Sequence, residues 1–424
     1  MSREMKDSGV EWIGEIPKDW EVKPIASCFN ERNEKVSDYD WEPLSVTKQG
    51  VVKQLETAAK SDAHDSRKKV CINDFVINSR SDRKQSCGLS PYDGSVSLIN
   101  IVLESKALNP QFTKYVLKNY GFAEEFYRWG AGIVADLWST KYSKMKKIMI
   151  PIPMSEEQKK IANFLDKKVG EINRLIDNAK KSIEEYKRYK QSVITEAVTK
   201  GLDPNVEMKD SGIEWIGNVS KNCNVGKIKF FVSKVGSGKT PRGGSETYLN
   251  EGVLFLRSQN IYDEGLKLDS PMYISKEIDE EMSNTKVLYN DVLLNITGGS
   301  IGRCCIYKEQ DRNANVNQHV SIIRMKEKLM IPEFMHYYWM SLLGKMVINL
   351  YQTGGNREGM SAEAIKNSPI VIFSISEQIE IINYLDDRCL EIDSLILKKE
   401  KLISELESYK KSLIYEYVTG KKEV

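Results

Sequence analysis

The sequence predicts two tandem α+β domains joined by two long helices that form an antiparallel coiled coil, the whole arranged as an internal pseudo-twofold repeat. Three observations predict it. The stretch MKDSGVEWIGEIPKDWEV at residues 5–22 returns as MKDSGIEWIGNVSKNCNV at residues 208–225, with 11 of 18 positions identical, more than unrelated segments of ordinary complexity share. A second repeat closes each half: Glu157, Gln158, Ile161, Leu165, Asp166, Glu171, Ile172, Leu175 and Tyr189 recur as Glu377, Gln378, Ile381, Leu385, Asp386, Glu391, Ile392, Leu395 and Tyr409. Finally, 424 residues exceed what a single hydrophobic core usually serves. The expected boundaries are a first domain at residues 1–153, a helix at 154–201, a second domain at 202–373 and a second helix at 374–424.

The opening motifs carry Trp12 and Ile13, and Trp215 and Ile216, as large apolar residues in polar surroundings. Such residues anchor a chain segment against a core. Ser220 and Cys223 stand where the first copy has Pro17 and Trp20, so the second anchor is expected to be looser. Between the end motifs the halves diverge. DFVINSR and SLINIVL in the first, and VLFLRSQNI, DVLLNITGGSIGRCCIY and VNQHVSIIRM in the second, are dense in Val, Ile and Leu and read as strands. The runs KKIMIPIP and SPIVIFSI read as a closing strand before each long helix.

In the helices, Ile161, Leu165, Val169, Ile172, Ile176, Ala179, Ile183 and Tyr186 step by four and three residues, and Ile381, Leu385, Cys389, Ile392, Ile396, Ile403 and Leu406 keep the same phase. That spacing makes a narrow coiled-coil stripe. Ser155 and Ser376 are expected N-caps, and Gly201 and Gly420 suit the far ends. Helices of about 45 residues reach roughly 65 Å, beyond the roughly 35 Å of a 150-residue domain, so each stripe needs a partner and the other copy supplies it.

Composition sets the limits. Apolar residues make up 41% and charged residues 29% of the chain, and no run approaches the roughly 20 apolar residues that cross a bilayer. No membrane association is expected, and the polar start MSREMKDSG, without an apolar signal region, leads to a cytoplasmic expectation. The seven cysteines lack paired metal-ligand spacing and read as reduced, mostly buried thiols. With a net charge of +2, any surface for nucleic acid must be a local patch.

The doubled KDSGVEWIGEIP and KDSGIEWIGNV, the helix starts SEEQKKIANFLD and SEQIEIINYLD, and LLNITGGSIGR followed by VNQHVSIIR resemble the specificity subunits of type I restriction-modification enzymes. The resemblance spans essentially the full length. It implies two target recognition domains, each reading one half of a bipartite double-stranded DNA site, held apart by the paired helices, on which two methyltransferase subunits dock. It also implies that those subunits methylate adenine with S-adenosylmethionine, and that restriction or motor subunits cleave unmodified DNA with ATP and magnesium. This chain is then non-catalytic and binds none of those cofactors. A different class, a two-domain coiled-coil adaptor that binds proteins without reading DNA, is the alternative.

Catalytic motifs are missing. SKVGSGKTPRG approaches a phosphate loop through Gly238, Lys239 and Thr240, but Ser233 stands where that pattern needs glycine, and Pro241 obstructs the helix that would follow. No GxGxxG follows a strand, and no Asn-Pro-Pro-Tyr or Asp-Pro-Pro-Tyr tetrapeptide occurs. None of His64, His319 and His336 has metal-ligand spacing, so no metal site is expected.

Base reading needs forked donors or amides presented from loops, while Ser, Thr and Lys hold phosphates. In the first half Asn78, Ser79, Arg80, Ser81, Arg83, Lys84 and Gln85 form one such stretch. The second half has Arg257, Ser258, Gln259 and Asn260, then Thr297, Ser300 and Arg303, then Asn317, Gln318 and His319. Thr140, Lys141 and Tyr142, and Asn356 and Arg357, join them from glycine-containing loops before each closing strand.

Overall fold

The structure is a computed structural model in which residues 3–54, 65–132, 138–351 and 359–424 are described. The chain divides into two compact units, Met1–Lys180 with Glu400–Val424, and Lys181–Lys399.

The first unit is built on an antiparallel sheet of β1 (Phe29–Glu31), β2 (Phe75–Asn78), β3 (Cys87–Leu89) and β4 (Asn100–Ser105), in the order β3-β2-β4-β1. Side chains alternate across a strand, so Phe75, Ile77, Ile101 and Leu103 face a core shared with Phe112, Phe122 and Phe126. Val76 and Val102 face the other way, onto Leu44, Val51, Val70 and Val96. Both faces are covered, which is why these strands read as unbroken apolar runs. The long helix α1 (Ser155–Lys200, 46 residues) follows.

The second unit repeats the plan with β5 (Val232–Ser237), β6 (Val292–Asn295), β7 (Cys304–Ile306) and β8 (Val320–Met325), in the order β7-β6-β8-β5. Val292, Leu294 and Ile323 face the core that holds Phe334 and Trp339, and Leu293 and Ile322 face the opposite cluster with Leu254 and Val316. Here the units differ. The second sheet of this unit contains a parallel pair, Val253–Leu256 with Ala314–Val316, whereas that of the first unit is antiparallel. The helix α2 (Ile375–Val418, 44 residues) closes the unit.

The two helices pair antiparallel. In the first unit the start of α1 meets the end of α2: the rings of Phe164 and Tyr417 lie 4.5 Å apart, and Lys410 Nζ donates to Asn173 Oδ1 at 2.9 Å. The end of α1 meets the start of α2 in the second unit, where Lys190 binds Asp393 at 2.7 Å. Going forward from 173 to 190 on α1 thus means going back from 410 to 393 on α2. Along the stripe, Ile161, Leu165, Ile172, Ile176, Ala179 and Ile183 are buried, as are Ile381, Leu385, Cys389 and Ile392.

One cap differs from expectation. Ser376 lies inside the first turn of α2, and Ser374 caps it instead: Glu377 N donates to Ser374 Oγ at 3.3 Å and Ser374 N donates to Glu377 Oε2 at 3.1 Å, the reciprocal bonds of a capping box. Ser155 is itself the first residue of α1.

The opening motifs fold as hairpins, Met5–Asp7 against Glu15–Pro17 and Met208–Asp210 against Asn218–Ser220. The strand after each pairs with the closing strand of its unit, Glu21–Pro24 with Met149–Ile152 and Asn224–Lys227 with Pro369–Ile372. Trp12 donates to Met149 O at 3.2 Å, and the fully buried Trp20 donates to Glu157 at 2.9 Å. Trp215 and Ile216 are only half-buried, so the second copy is the looser anchor. The repeated glutamines do matching work: Gln158 accepts from Asn109 N at 2.8 Å and donates to Pro153 O at 2.9 Å, and Gln378 accepts from Ile331 N at 3.0 Å and donates to Phe373 O at 2.9 Å. Six of the seven free cysteines are buried. Among the described residues no helix is long and apolar enough to cross a membrane.

Candidate nucleic-acid interface

One polar cluster in each unit rises from an equivalent place, the hairpin loop β2–β3 in the first and β6–β7 in the second. Each loop stands on a fixed base. Before β2, Asp74 accepts from Cys71 N at 2.7 Å and from Arg32 Nε at 2.7 Å. Before β6, Asp291 accepts from Leu288 N at 2.6 Å, and its two oxygens take Arg324 Nε and Nη2 at 2.7 Å each. Asn73 and Asn290, at φ of 70° and 69°, make the left-handed turn into each strand that asparagine tolerates well.

The loops then run alike. A single 3-10 turn, Ser81–Arg83 or Gly298–Ser300, is followed by a left-handed residue, Gln85 at φ 62° or Gly302 at φ 86°. Each loop is also bridged to the segment before the closing strand, Arg80 to Ser139 and Thr297 to Gly359.

The cations of the first unit's loop are Arg80, which is half-buried, and Arg83 and Lys84, which are exposed. All three have acidic partners, with Arg80 Nε 3.0 Å and Arg83 Nε 3.6 Å from Asp82, and Lys84 Nζ 3.1 Å from Glu124. Exposed pairs of this kind contribute about 0 to 1 kcal/mol, so a phosphate can replace the carboxylate at little cost. The backbone beneath is firmer. Tyr127 donates its phenol hydrogen to Asn78 O and Arg83 O at 3.2 and 3.3 Å, and burial holds that phenol well above its ordinary range. Burial likewise pushes the Cys87 thiol up to about 12 and Cys304 well above its ordinary value, so both remain protonated. Lys141 is exposed, and Tyr142 is half-buried with its phenol raised by burial.

In the second unit the clusters converge. Asn295 Nδ2 donates to Ser258 O at 2.8 Å and to Ser300 Oγ at 3.2 Å, tying the 258–260 turn to the hairpin loop. Arg303 lies 4.7 Å from the ring centre of Tyr262, on which Lys267 also sits at 3.9 Å. Arg257 lies 5.7 Å from the Tyr248 ring with its Nε buried and unpaired among the described residues, while Gln259 is exposed. Thr297 Oγ1 meets His319 Nδ1 at 2.6 Å, and His319 Nε2 meets Gln318 Nε2 at 3.1 Å.

Burial reassigns four of the sequence candidates to the scaffold. Thr140 is fully buried and its hydroxyl donates to Phe126 O at 2.8 Å. Ser79 is buried with its hydroxyl 3.0 Å from that of Ser139. Asn260 accepts from Arg257 N at 3.0 Å and donates to Lys267 O at 2.9 Å. Asn317 is buried and accepts from His319 N at 3.1 Å. The bonded groups of these residues are spent on local contacts and shape the loops. Asn356, Arg357 and His64 lie outside the described residues.

The segment around Thr240, dismissed above as a phosphate loop, packs against this cluster, a contact that sequence reasoning missed. A Cβ on Gly238 would lie 1.9 Å from Val316 O, so only glycine lets the two backbones meet. Gly238 N donates to Val320 O at 3.0 Å and Lys239 N to Val316 O at 3.2 Å. Thr240 Oγ1 is thereby brought onto Gln318 Oε1. The glycine before a polar triplet was the available signal, but it points to close backbone approach as readily as to phosphate.

No family model matches the chain. It is 26% identical over 301 residues to the type I restriction enzyme EcoBI specificity subunit of Escherichia coli, a match covering 65% of this chain and 59% of that protein. With the putative type I restriction enzyme MjaX specificity subunit of Methanocaldococcus jannaschii it shares 24% identity over 448 aligned positions, covering 96% of this chain and 95% of the relative. A solved chain from work on complex assembly and conformational transition of the type I R-M system matches its fold with a TM-score of 0.72 at 12% identity, covering 95% of this chain and 98% of that one. In sequence, along nearly its whole length, the chain is similar to the specificity subunits of type I restriction enzymes, the family its repeated motifs resemble.

Proposed function

We propose that the chain is the non-catalytic, sequence-specific DNA-binding subunit of a type I restriction-modification complex, which it directs to a bipartite site. Residues 1–153 and 202–373 act as the two target recognition domains, and residues 154–201 and 374–424 as the spacer helices. Partner methyltransferase subunits, with S-adenosylmethionine, modify adenine in each half-site. Restriction and motor subunits cleave unmodified DNA with ATP and magnesium.

The observation that carries this reading is the contrast between kept frame and changed loops. Asp74 and Asp291 found the same hairpin in both units, yet the loops above them share no side-chain pattern, as two readers of different sequences require. Exposed apolar residues on the helices, Leu175, Tyr189, Leu390, Leu397 and Tyr409, support docking of partner subunits there.

Methylome sequencing of a host that carries the chain with its methyltransferase subunits tests the proposal. A two-part motif is expected, and replacing residues 23–150 with those of a relative changes one half of it. If both halves change together, independent reading is wrong. The adaptor alternative predicts no motif, and duplex binding that lacks the steep salt dependence of phosphate contacts.

A further inference from the structure

Gln318 is exposed at the head of the second unit, on the turn that leads into β8, and its amide is held from both sides. Thr240 Oγ1 contacts its Oε1, and its Nε2 lies 3.1 Å from His319 Nε2. Oε1 can only accept, so the Thr240 hydroxyl donates. Nε2 can only donate, so the facing imidazole nitrogen accepts. The ring proton of neutral His319 then sits on Nδ1, from which it is given to Thr297 Oγ1 at 2.6 Å. Every role in this chain of bonds follows from its neighbour. What remains on Gln318 is one lone pair on Oε1 and one hydrogen on Nε2.

In the major groove that remainder matches one base edge. Adenine offers a donor at N6 and an acceptor at N7 in the major groove, the pair an amide takes with two bonds. A freely turning glutamine could reverse its amide to suit other partners; this one is braced by Thr240 and His319. The brace is itself rigid, because backbone bonds tie Gly238 and Lys239 to Val320 and Val316, and Asn317 fixes the turn. Lys239 and Arg242 are exposed on the same segment, supplying cations for the phosphates beside a base contact.

We propose that Gln318 reads an adenine in the half-site taken by the second unit, with Thr240 and His319 as positioning residues that hold its amide for the contact. The proposal rests on the DNA-reading function above. It adds to the reading surface the Gly238–Arg242 segment.

Methylomes of hosts carrying the chain with its methyltransferase subunits are compared for the wild type, Gln318→Ala, His319→Ala, Thr240→Val and Thr240→Ser. Gln318→Ala should relax discrimination about 5- to 150-fold at one adenine of one half-site, the range a two-bond base contact supplies. His319→Ala and Thr240→Val should relax that same position. Thr240→Ser keeps the hydroxyl and should preserve it, a rescue that a merely structural role does not predict. Gln318 and Thr240 are exposed, so neither substitution removes core packing. An unchanged motif in Gln318→Ala, or a uniform drop in methylation at every position, overturns this inference and leaves the DNA-reading function standing. A wild-type chain that yields no motif overturns both.

Discussion

The phenol of Tyr115 donates a hydrogen bond to the carboxylate of Asp166 at 2.6 Å, joining the helix Pro110–Val116 to α1. Tyr337 and Asp386 make the same bond at 2.5 Å between the helix Pro332–Met340 and α2. Asp166 and Asp386 are repeated because each bolts a divergent domain to its helix. Tyr115→Phe and Tyr337→Phe should each lower local stability by about 1.5 to 3 kcal/mol, as loss of a hydrogen bond to a charged acceptor does. Amide hydrogen exchange in the two short helices measures this. Unchanged protection would mean that water takes over the role of the phenol.

Asp291→Asn should be costlier. Its carboxylate is fully buried, takes both forks of Arg324 and caps Leu288 N. Removing one partner of a buried pair costs about 3 to 5 kcal/mol. The low end applies, because the Arg324 side chain keeps 27% exposure. Denaturant unfolding followed at Trp339, in the core beneath the same sheet, should shift to lower denaturant than in the wild type.

Acid should loosen the second unit through His336. Burial lowers its pKa below the ordinary 6.5, against the raising influence of Asp263 and the Cys304 carbonyl. Below 6.5 the unfolded chain therefore takes up a proton that the folded chain refuses, so stability is full above that pH and falls as pH drops toward the folded value. His336→Gln, which keeps a donor for Cys304 O but does not titrate, should flatten the dependence. Melting curves between pH 7.5 and 5.5 compare the two; parallel curves would exclude His336 as the source.

Gly420 and Gly217 separate strain from crowding. Both have left-handed φ, 71° and 69°, but a Cβ on Gly420 would lie 2.4 Å from Pro17 and 3.1 Å from Trp20, while Gly217 has nothing within 4 Å. Gly217→Ala should cost about 1 to 2 kcal/mol from the backbone alone. Gly420→Ala should add an overpacking penalty of about 1 to 3 kcal/mol and free the first opening motif for proteolysis. Equal losses in the two variants would show that Pro17 and Trp20 move aside.

What was legible in the sequence was what the two halves repeat. The helical stripe and the opening motifs announced themselves because packing fixes residue type at fixed spacing. The correspondence of Asp74 with Asp291 did not, because their partners come from different strands: Arg32 follows β1, whereas Arg324 lies within β8. Loops were legible as segments and not as residues. Thr140 and Asn260 look like ligand-binding side chains until tertiary contacts bury them. Thr240 looks like part of a failed phosphate loop until Gln318, 78 positions away, arrives beside it.

The split of the first unit between Met1–Lys180 and Glu400–Val424 also imposes an order on synthesis. Leu413 and Val418 belong to the same core as Trp20 and Leu165, yet the ribosome makes them after the whole of Lys181–Lys399. At about 5 to 20 residues per second those 219 intervening residues take roughly 10 to 45 s. For that interval the nascent first unit lacks the segment that covers Trp20 and the stripe of α1, and its apolar surface stands open to chaperones. The second unit, a continuous stretch, has no such wait and can finish first although it begins later.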